Sequence, residues 1–204
     1  FNVSAEYTHG AYNFTMAGYY NKVDNHITTG IPFYKPGDNK QLYLNYVNLS
    51  KMDVYNVEAT AQARWHSGIG AKLSYVFSHE DSNKAANQYM PTRTHSVNAR
   101  VEWDKQFTQK FGVNIALTGR ALSSIDNEEY IDMYDVSKGT ITIEYPAYTL
   151  WKLQASCRLL SWAQINVAVD NIFNYKPDYY YFNAPLTMGT NYMIGLGIDI
   201  DKIF

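Results

Sequence analysis

The sequence has one cysteine, no long hydrophobic run and almost no net charge, and each shortage excludes a class of protein. The single cysteine, Cys157, excludes an intrachain disulfide and a zinc site built from several thiolates. Because Cys157 alternates with Leu153 and Ala155, we interpret it as a small packing residue. No run of about 18 apolar residues occurs, which excludes a membrane-spanning helix. The net charge is −2 and the basic residues are scattered, so nucleic acid is not an expected partner.

The sequence also lacks the contiguous motifs of common enzyme classes. It contains no Gly-x-Ser-x-Gly, no Walker sequence and no His-Glu-x-x-His, so we expect no enzyme and assign no catalytic residue. An enzymatic barrel remains an alternative, because active-site residues need not be contiguous. Residues 1–4 already belong to an alternating segment and show no secretory leader. We therefore expect the chain to be a piece of a longer protein.

Aromatic residues are abundant, at 16% of the chain with 19 tyrosines. Tyrosine and tryptophan combine an apolar ring with a polar group, which suits a surface that meets both oil and water. The mean hydropathy of −0.36 resembles that of a soluble protein. It does not conflict with a membrane location, since a spanning β-strand needs an apolar residue only at every second position.

Alternation of apolar and polar residues predicts nine strands. It is clearest at the end of the chain, where Tyr192, Ile194 and Leu196 share one face, and we expect it to continue to Phe204. Short turns alternate with long connections. The predicted strands are 1–8, 12–27, 42–65, 71–78, 97–104, 113–120, 151–159, 164–170 and 191–204, and the long loops are 28–40, 79–94, 123–146 and 174–190.

The polar faces of these strands carry charged residues far from the strand ends. A dry core could not hold them, because burying even one unpaired charge costs several kcal/mol. We therefore expect the polar faces to line a water-filled lumen. The lumen-lining candidates are Glu58, Arg64, Arg100, Glu102, Arg120 and Arg158.

The apolar faces end in aromatic residues, as in the interfacial girdles of membrane barrels. These residues are Tyr7, Trp65, Trp103 and Trp151. A soluble sandwich or barrel is the alternative, since its strands also have one apolar face. It predicts neither strands of about ten residues nor short turns alternating with long loops. Ten tilted residues cross an apolar band of about 25 Å.

The predicted fold class is therefore all-β, an antiparallel transmembrane β-barrel, with residues 1–204 as the C-terminal part of a single barrel domain. Single-chain bacterial barrels have an even number of strands, so we expect further strands before Phe1. If the short turns are periplasmic, the four long loops are extracellular.

Four segments resemble the C-terminal barrel portion of TonB-dependent outer-membrane receptors. Residues 169–174 resemble the Asn-Leu-Phe segment of that family's penultimate strand, and the terminal Phe204 resembles its assembly signal. Asn56 stands where the family commonly has glycine. The other segments that carry the resemblance are 18–27, 46–58 and 90–95.

This resemblance implies a barrel of about 22 strands in the bacterial outer membrane, of which this chain would form the last nine. It implies partners in the outer-membrane lipid and in the TonB complex, reached through an N-terminal plug that this chain lacks. The implied function is uptake of haem, a ferric siderophore, cobalamin or, in gut bacteria, glycans, without an intrinsic cofactor. A surface lipoprotein is a further candidate partner that no residue pattern reveals. A passive porin or surface-binding barrel without TonB coupling is the alternative.

The ligand-binding candidates lie in the expected extracellular loops. His79 could ligate haem iron, and an aromatic run in the last loop could stack on a porphyrin, corrin or catecholate. A solvated histidine and an interfacial aromatic belt are the alternatives. The carboxylates of 126–135 match no EF-hand spacing and are interpreted as a solvated loop, so no metal site is predicted. The loop candidates are His79, Tyr179, Tyr180, Tyr181 and Phe182.

Overall fold

The structure is a computed structural model that describes residues 1–35, 37–82, 92–179, 181 and 184–202. Regular structure in these residues consists of β-strands and two short 3-10 turns, Val136–Lys138 and Ile200–Lys202. No helix among them is long and apolar enough to cross a membrane, a finding that has no bearing on crossing by strands. The strands are β1 Asn2–His9, β2 Tyr12–Thr29, β3 Phe33–Lys35, β4 Asp38–Tyr43, β5 Tyr46–Arg64, β6 Ile69–Ser82, β7 His95–Gln106, β8 Gly112–Leu122, β9 Ile125–Tyr130, β10 Thr140–Tyr145, β11 Tyr148–Leu160, β12 Ala163–Asp170 and β13 Asn191–Ile198.

Nine of these strands form one antiparallel sheet in the order β1-β2-β5-β6-β7-β8-β11-β12-β13. Each long strand pairs with the next long strand along the chain, as a meander does. This confirms the predicted all-β architecture and its nine long strands. Within the described strands, β1 and β13 are the two edges and do not pair with each other.

Two of the predicted long loops contain hairpins of their own. Strands β3 and β4 pair within the first loop, and β9 and β10 pair within the third. The long loops predicted at 28–40 and 123–146 therefore contain strands that the alternation did not predict. Because β9 and β10 pair residue for residue along their whole length, the third loop is an ordered element and not a tether.

The register of the sheet separates its side chains into two faces. On one face Phe14, Ala61, Leu73 and Ala99 are successive cross-strand neighbours. This apolar face is exposed, with Leu73 at 52% of its full accessible surface and Ile194 at 82%. A sandwich would cover such rows with a second sheet. The exposed rows contradict the sandwich alternative and fit a sheet whose apolar face meets lipid.

Aromatic side chains mark both ends of the apolar face. Toward the long loops, the rings of Tyr20 and Tyr55 lie 5.1 Å apart, and toward the short turns the rings of Tyr12 and Trp65 lie 6.0 Å apart. On the same face as Tyr20 and Tyr55, the next register pair toward the long loops is Lys22 with Asp53. The apolar face therefore changes to charge directly beyond the aromatic band, as expected at a membrane–water interface.

Glycine at one position lets a large ring lie flat on this face. Gly119 of β8 is the register partner of Trp151 of β11. A Cβ atom at Gly119 would lie 2.5 Å from the Trp151 ring, closer than real contacts allow. The missing side chain of Gly119 therefore makes room for the indole of Trp151.

Among the strand ends that differ from the prediction, two change the place of named residues. Strand β6 continues to Ser82, so the prediction that His79 begins a loop is wrong. At the other end, β13 stops at Ile198 and a 3-10 turn follows, so the expected alternation beyond that residue is wrong as well. Phe204 lies outside the described residues.

Candidate functional site

A row of polar side chains crosses the whole sheet on the face opposite the apolar one. Each residue of the row is the register partner of the next, from the turn at Gly10 to the loop after β12. Because it starts at the short-turn end and finishes at the long-loop end, the row runs obliquely across the sheet. Its members, which we call the polar row, are Thr8, Asn13, Gln62, Lys72, Arg100, Thr118, Lys152, Asp170 and Asn191.

Arg64, Arg100 and Glu102 form a charge cluster beside this row. Arg64 Nη2 donates to Glu102 Oε1 at 2.6 Å, and Arg100 donates to Glu102 Oε2 through Nε at 2.9 Å and Nη2 at 2.7 Å. Arg100 Nη1 also donates to Thr118 Oγ1 at 3.3 Å. The side chain of Glu102 is only 19% exposed, whereas Arg64 is 70% and Arg100 42% exposed. One half-buried carboxylate therefore holds two guanidinium groups in place.

A glycine on the strand between them allows Arg64 and Glu102 to meet. Arg64 lies on β5 and Glu102 on β7, and Gly70 of β6 is the register partner of both. A Cβ atom at Gly70 would lie 3.1 Å from Glu102 Cγ. The absence of a side chain at Gly70 leaves the space in which Arg64 reaches across β6.

The remaining lumen-lining candidates do not join the cluster. Glu58, Arg120 and Arg158 lie on the polar face but outside the polar row, and all three are exposed. No ion pair among the described residues includes any of them. Lys152 and Asp170, which belong to the polar row, form an ion pair at 3.0 Å. That the polar face lines a lumen stays a prediction.

At the long-loop end the two hairpins dock onto each other. The backbone N–H of Tyr34 in β3 donates to the carbonyl of Met133 at 2.8 Å. The rings of Tyr34 and Tyr134 stack with centroids 4.8 Å apart, and Phe33 meets Tyr130 edge-on at 6.4 Å. A backbone hydrogen bond and two ring contacts therefore fix the first long loop to the third.

The last long loop packs against the same hairpin. Tyr145 at the end of β10 stacks on Tyr181 at 4.5 Å, and both are nearly fully buried. Tyr179 Oη donates to the carbonyl of Glu144 at 2.9 Å. Ala184, Ile125 and Ile143 complete this small hydrophobic cluster. We call the two hairpins and the described part of 171–190 together the loop assembly.

Asn171 organises the last loop from its base. Its side chain is 7% exposed, and its φ of 51° lies in the left-handed region that asparagine tolerates. Asn171 Nδ2 donates to the carbonyl of Tyr175 at 2.7 Å and to Thr187 Oγ1 at 2.8 Å. Asn171 Oδ1 accepts from the N–H of Tyr175 at 2.9 Å. The side chain thus closes the turn and ties both arms of the loop together.

Arg93 links the second and third long connections. Its Nη1 donates to the carbonyl of Pro146 at 3.0 Å and also to that of Ser123. Its guanidinium lies 5.1 Å from the centre of the Tyr148 ring, a cation–π distance. Arg93 therefore holds both ends of the third loop next to β7.

The turn of the third-loop hairpin carries an exposed ion pair. Lys138 Nζ donates to Asp132 Oδ2 at 2.6 Å, and the N–H of Tyr134 donates to Asp132 Oδ1 at 2.9 Å. The hydrogen bond from Lys138 is the main reason that the pKa of Asp132 lies below its ordinary value, and it raises the pKa of Lys138. In the last loop, burial raises the pKa of the Tyr175 hydroxyl. Solvent exposure keeps the contribution of the Lys138–Asp132 ion pair to stability small.

The structure brings together only part of the predicted ligand site. Tyr179 and Tyr181 lie in the loop assembly with rings 5.6 Å apart, Tyr179 45% exposed and Tyr181 buried. Tyr180 and Phe182 lie outside the described residues. His79 lies on the apolar face, in the aromatic band, with its ring 6.2 Å from that of Tyr55. Its ring neighbours among the described residues are Tyr55 and Phe77 of the sheet, not residues of the last loop.

Sequence reasoning missed the two residues that order the loops, Arg93 and Asn171. Each lies in a segment that carries the family resemblance, which was the available signal. The part of the chain that the structure describes contains no group of three or more His, Cys, Asp or Glu side chains suited to a metal ion.

The sheet defines the class of protein. An exposed apolar face with aromatic bands at both ends is typical of a membrane-spanning β-barrel. The chain belongs to the TonB dependent receptor-like beta-barrel family, whose sequence model matches residues 1–172. The protein is accordingly located in the bacterial outer membrane. No curated protein matches the chain.

Solved structures show the same fold. The FrpB iron transporter from Neisseria meningitidis (F3-3 variant) is similar with a TM-score of 0.69 and 14% identity, over 97% of this chain and 30% of that one. The siderophore receptor PirA from Acinetobacter baumannii gives 0.68 and 10% identity over 97% and 31%. The pyoverdine outer membrane receptor FpvA from Pseudomonas aeruginosa PAO1, bound to pyoverdine, gives 0.67 and 14% over 96% and 28%. The chain therefore spans about 30% of the length of these structures.

Proposed function

We propose that this chain is the barrel part of a TonB-dependent receptor that takes up a scarce ligand across the outer membrane. The match to the receptor barrel family over residues 1–172 carries the proposal. A ferric siderophore is the first candidate ligand, because the similar structures are named as an iron transporter, a siderophore receptor and a pyoverdine receptor. Haem and cobalamin are the further candidates.

We assign ligand binding to the loop assembly and ligand passage to the polar row. The loop assembly presents Tyr179 at 45% and Tyr134 at 56% exposure. Rings of this kind stack on flat aromatic ligands such as catecholates and porphyrins. The polar row would then supply a hydrated path along the inside of the barrel. TonB coupling would act through a plug domain of the receptor.

Energy dependence of uptake tests the proposal. Cells that express the full-length receptor would be given one of three labelled ligands: a ferric siderophore, haem or cobalamin. Each ligand would be tested in cells with and without an intact TonB system. We expect uptake of one of these ligands, and we expect it to stop when TonB is deleted. Uptake that continues without TonB would instead support a passive porin and contradict the proposal.

Substitution in the last loop tests the ligand site. Loss of one stacking ring removes about 0.5–1.5 kcal/mol, so Tyr179→Ala should weaken ligand binding several-fold. Tyr7→Ala is the matched control, because Tyr7 is 66% exposed but lies on the apolar face near a short turn. His79→Ala should behave like this control. Reduced binding in His79→Ala alone would restore the sequence-based assignment of His79 and contradict the site in the loop assembly.

A further inference from the structure

Three cations surround a depression on the polar face near the short turns. The depression measures about 370 Å³, and its charged lining consists of Arg64, Lys72, Arg100 and Glu102. A volume of this size lies within the range of about 300–1,000 Å³ that is typical of small-molecule sites. Three positive charges face one negative charge, so the depression carries an excess of positive charge.

The register places two of these cations side by side without a shared counter-ion. Lys72 of β6 and Arg100 of β7 are direct register partners, and like charges in that position repel. Both carboxylate oxygens of Glu102 already accept hydrogen bonds from guanidinium groups, Oε1 from Arg64 and Oε2 from Arg100. Among the residues that the structure describes, Lys72 forms no hydrogen bond or ion pair through its side chain. Its ammonium therefore keeps its donors for another partner.

The lining also supplies a neutral donor, the side-chain amide of Gln62. Gln62, the register partner of Lys72 on β5, lines the depression together with Asn13. Gln62 Nε2 donates to Asn13 Oδ1 at 3.2 Å, which leaves its second N–H available. A ligand with two or three acidic oxygens could accept from Lys72, from the amide and from the outer N–H groups of the guanidinium pair.

We propose that this depression is a binding site for an oxyanion, a carboxylate or phosphate group that bridges Lys72 and Arg100. The anion completes a site in which Glu102 alone leaves the charge unbalanced. Two sources could present such a group: a free small anion, or an acidic side chain of the receptor outside this chain. The proposal does not depend on transport, because its test measures anion binding and melting and not uptake.

Phosphate binding to the purified full-length receptor tests the site. Inorganic phosphate would be titrated into wild type and Lys72→Met by calorimetry at low ionic strength, with chloride as the control anion. Loss of one charge-assisted hydrogen bond should weaken phosphate binding on the order of tenfold. Lys105→Met is the matched control, because Lys105 is an exposed lysine of β7 on the opposite face. Its phosphate affinity should equal that of wild type.

A melting experiment on the same variants distinguishes the two sources. If an acidic side chain of the receptor already fills the depression, wild type will not bind phosphate, and Lys72→Met will melt at a lower temperature than Lys105→Met. The methionine keeps the apolar stem of the exposed lysine, so folding should be preserved. Equal phosphate affinity in Lys72→Met and wild type would overturn the proposal. So would the absence of phosphate binding together with equal melting of the two variants.

Discussion

Replacement of Asn171 by alanine should release the last long loop from the sheet. The side chain makes three hydrogen bonds to Tyr175 and Thr187, and each such bond contributes about 0.5–1.5 kcal/mol net. Asn171 has a φ of 51°, and alanine in this left-handed conformation lowers stability by roughly a further 1–2 kcal/mol. The sum is about 2.5–6.5 kcal/mol, which is the expected loss in the free energy of local opening.

Hydrogen exchange measures this loss directly. In the full-length receptor, peptides covering 171–190 should exchange about 100-fold faster or more in Asn171→Ala than in wild type. Asn171→Gly tolerates the backbone conformation but lacks the hydrogen bonds, so its exchange should lie between the two. Asn166→Ala is the control, because Asn166 lies on the polar face within β12, away from the last loop, and accepts from Gln164 at 2.6 Å. Unchanged exchange in Asn171→Ala would refute the role assigned to this side chain.

Three further predictions follow from the contacts described. Gly119→Ala should destabilise the barrel toward urea by about 1–3 kcal/mol, since the new Cβ meets the Trp151 ring at 2.5 Å, whereas Gly195→Ala, with open space around it, should not. Tyr34→Ala removes the ring stacked at 4.8 Å on Tyr134, so limited proteolysis should cut the β9–β10 hairpin faster than in Tyr7→Ala. The lowered pKa of Asp132 means that its pairing with Lys138 stabilises the turn above the ordinary aspartate pKa and is lost as pH falls through the lower folded value. In Lys138→Met, an NMR titration should show the pKa of Asp132 returning toward its ordinary value, and an unshifted pKa would contradict the assigned cause.

The long strands could be read from the sequence because their alternation is local. The predicted strands 97–104 and 113–120 lie within His95–Gln106 and Gly112–Leu122. Their central residues alternate strictly, and the sheet pairs them in one continuous register. Strand ends were harder to place, because His79 is followed by acidic residues that look like a loop. In the sheet those residues extend β6 beyond the aromatic band.

The hairpins were missed for a physical reason that lies in their composition. Ile141 and Ile143 alternate with polar residues, which is a short strand pattern, but their partners are Glu129 and Asn127. A polar strand gives no hydrophobic period, so its pairing depends on long-range docking. That docking comes from Tyr34 and the last loop.

The charge cluster could not be predicted as a cluster from the sequence. Arg64 and Glu102 are placed near each other only by the registers of β5, β6 and β7, and Gly70 must lie between them. Alternation assigned both charges to the polar face but not to the same place on it. The loop assembly was harder still to predict, because it depends on contacts among three connections that are far apart in the sequence. A local residue pattern does not show which connections meet.

The central claim is that lipid covers the apolar face while water reaches the polar face. Nitroxide labels at single cysteines in a Cys157→Ala full-length receptor, reconstituted in bilayers, test this most directly. Labels at Leu73, Val101 and Ile194 should collide often with oxygen dissolved in lipid and seldom with a water-soluble nickel complex. Labels at Gln62, Asn98 and Arg120 should show the opposite preference. Equal or reversed preferences on the two faces would contradict the account.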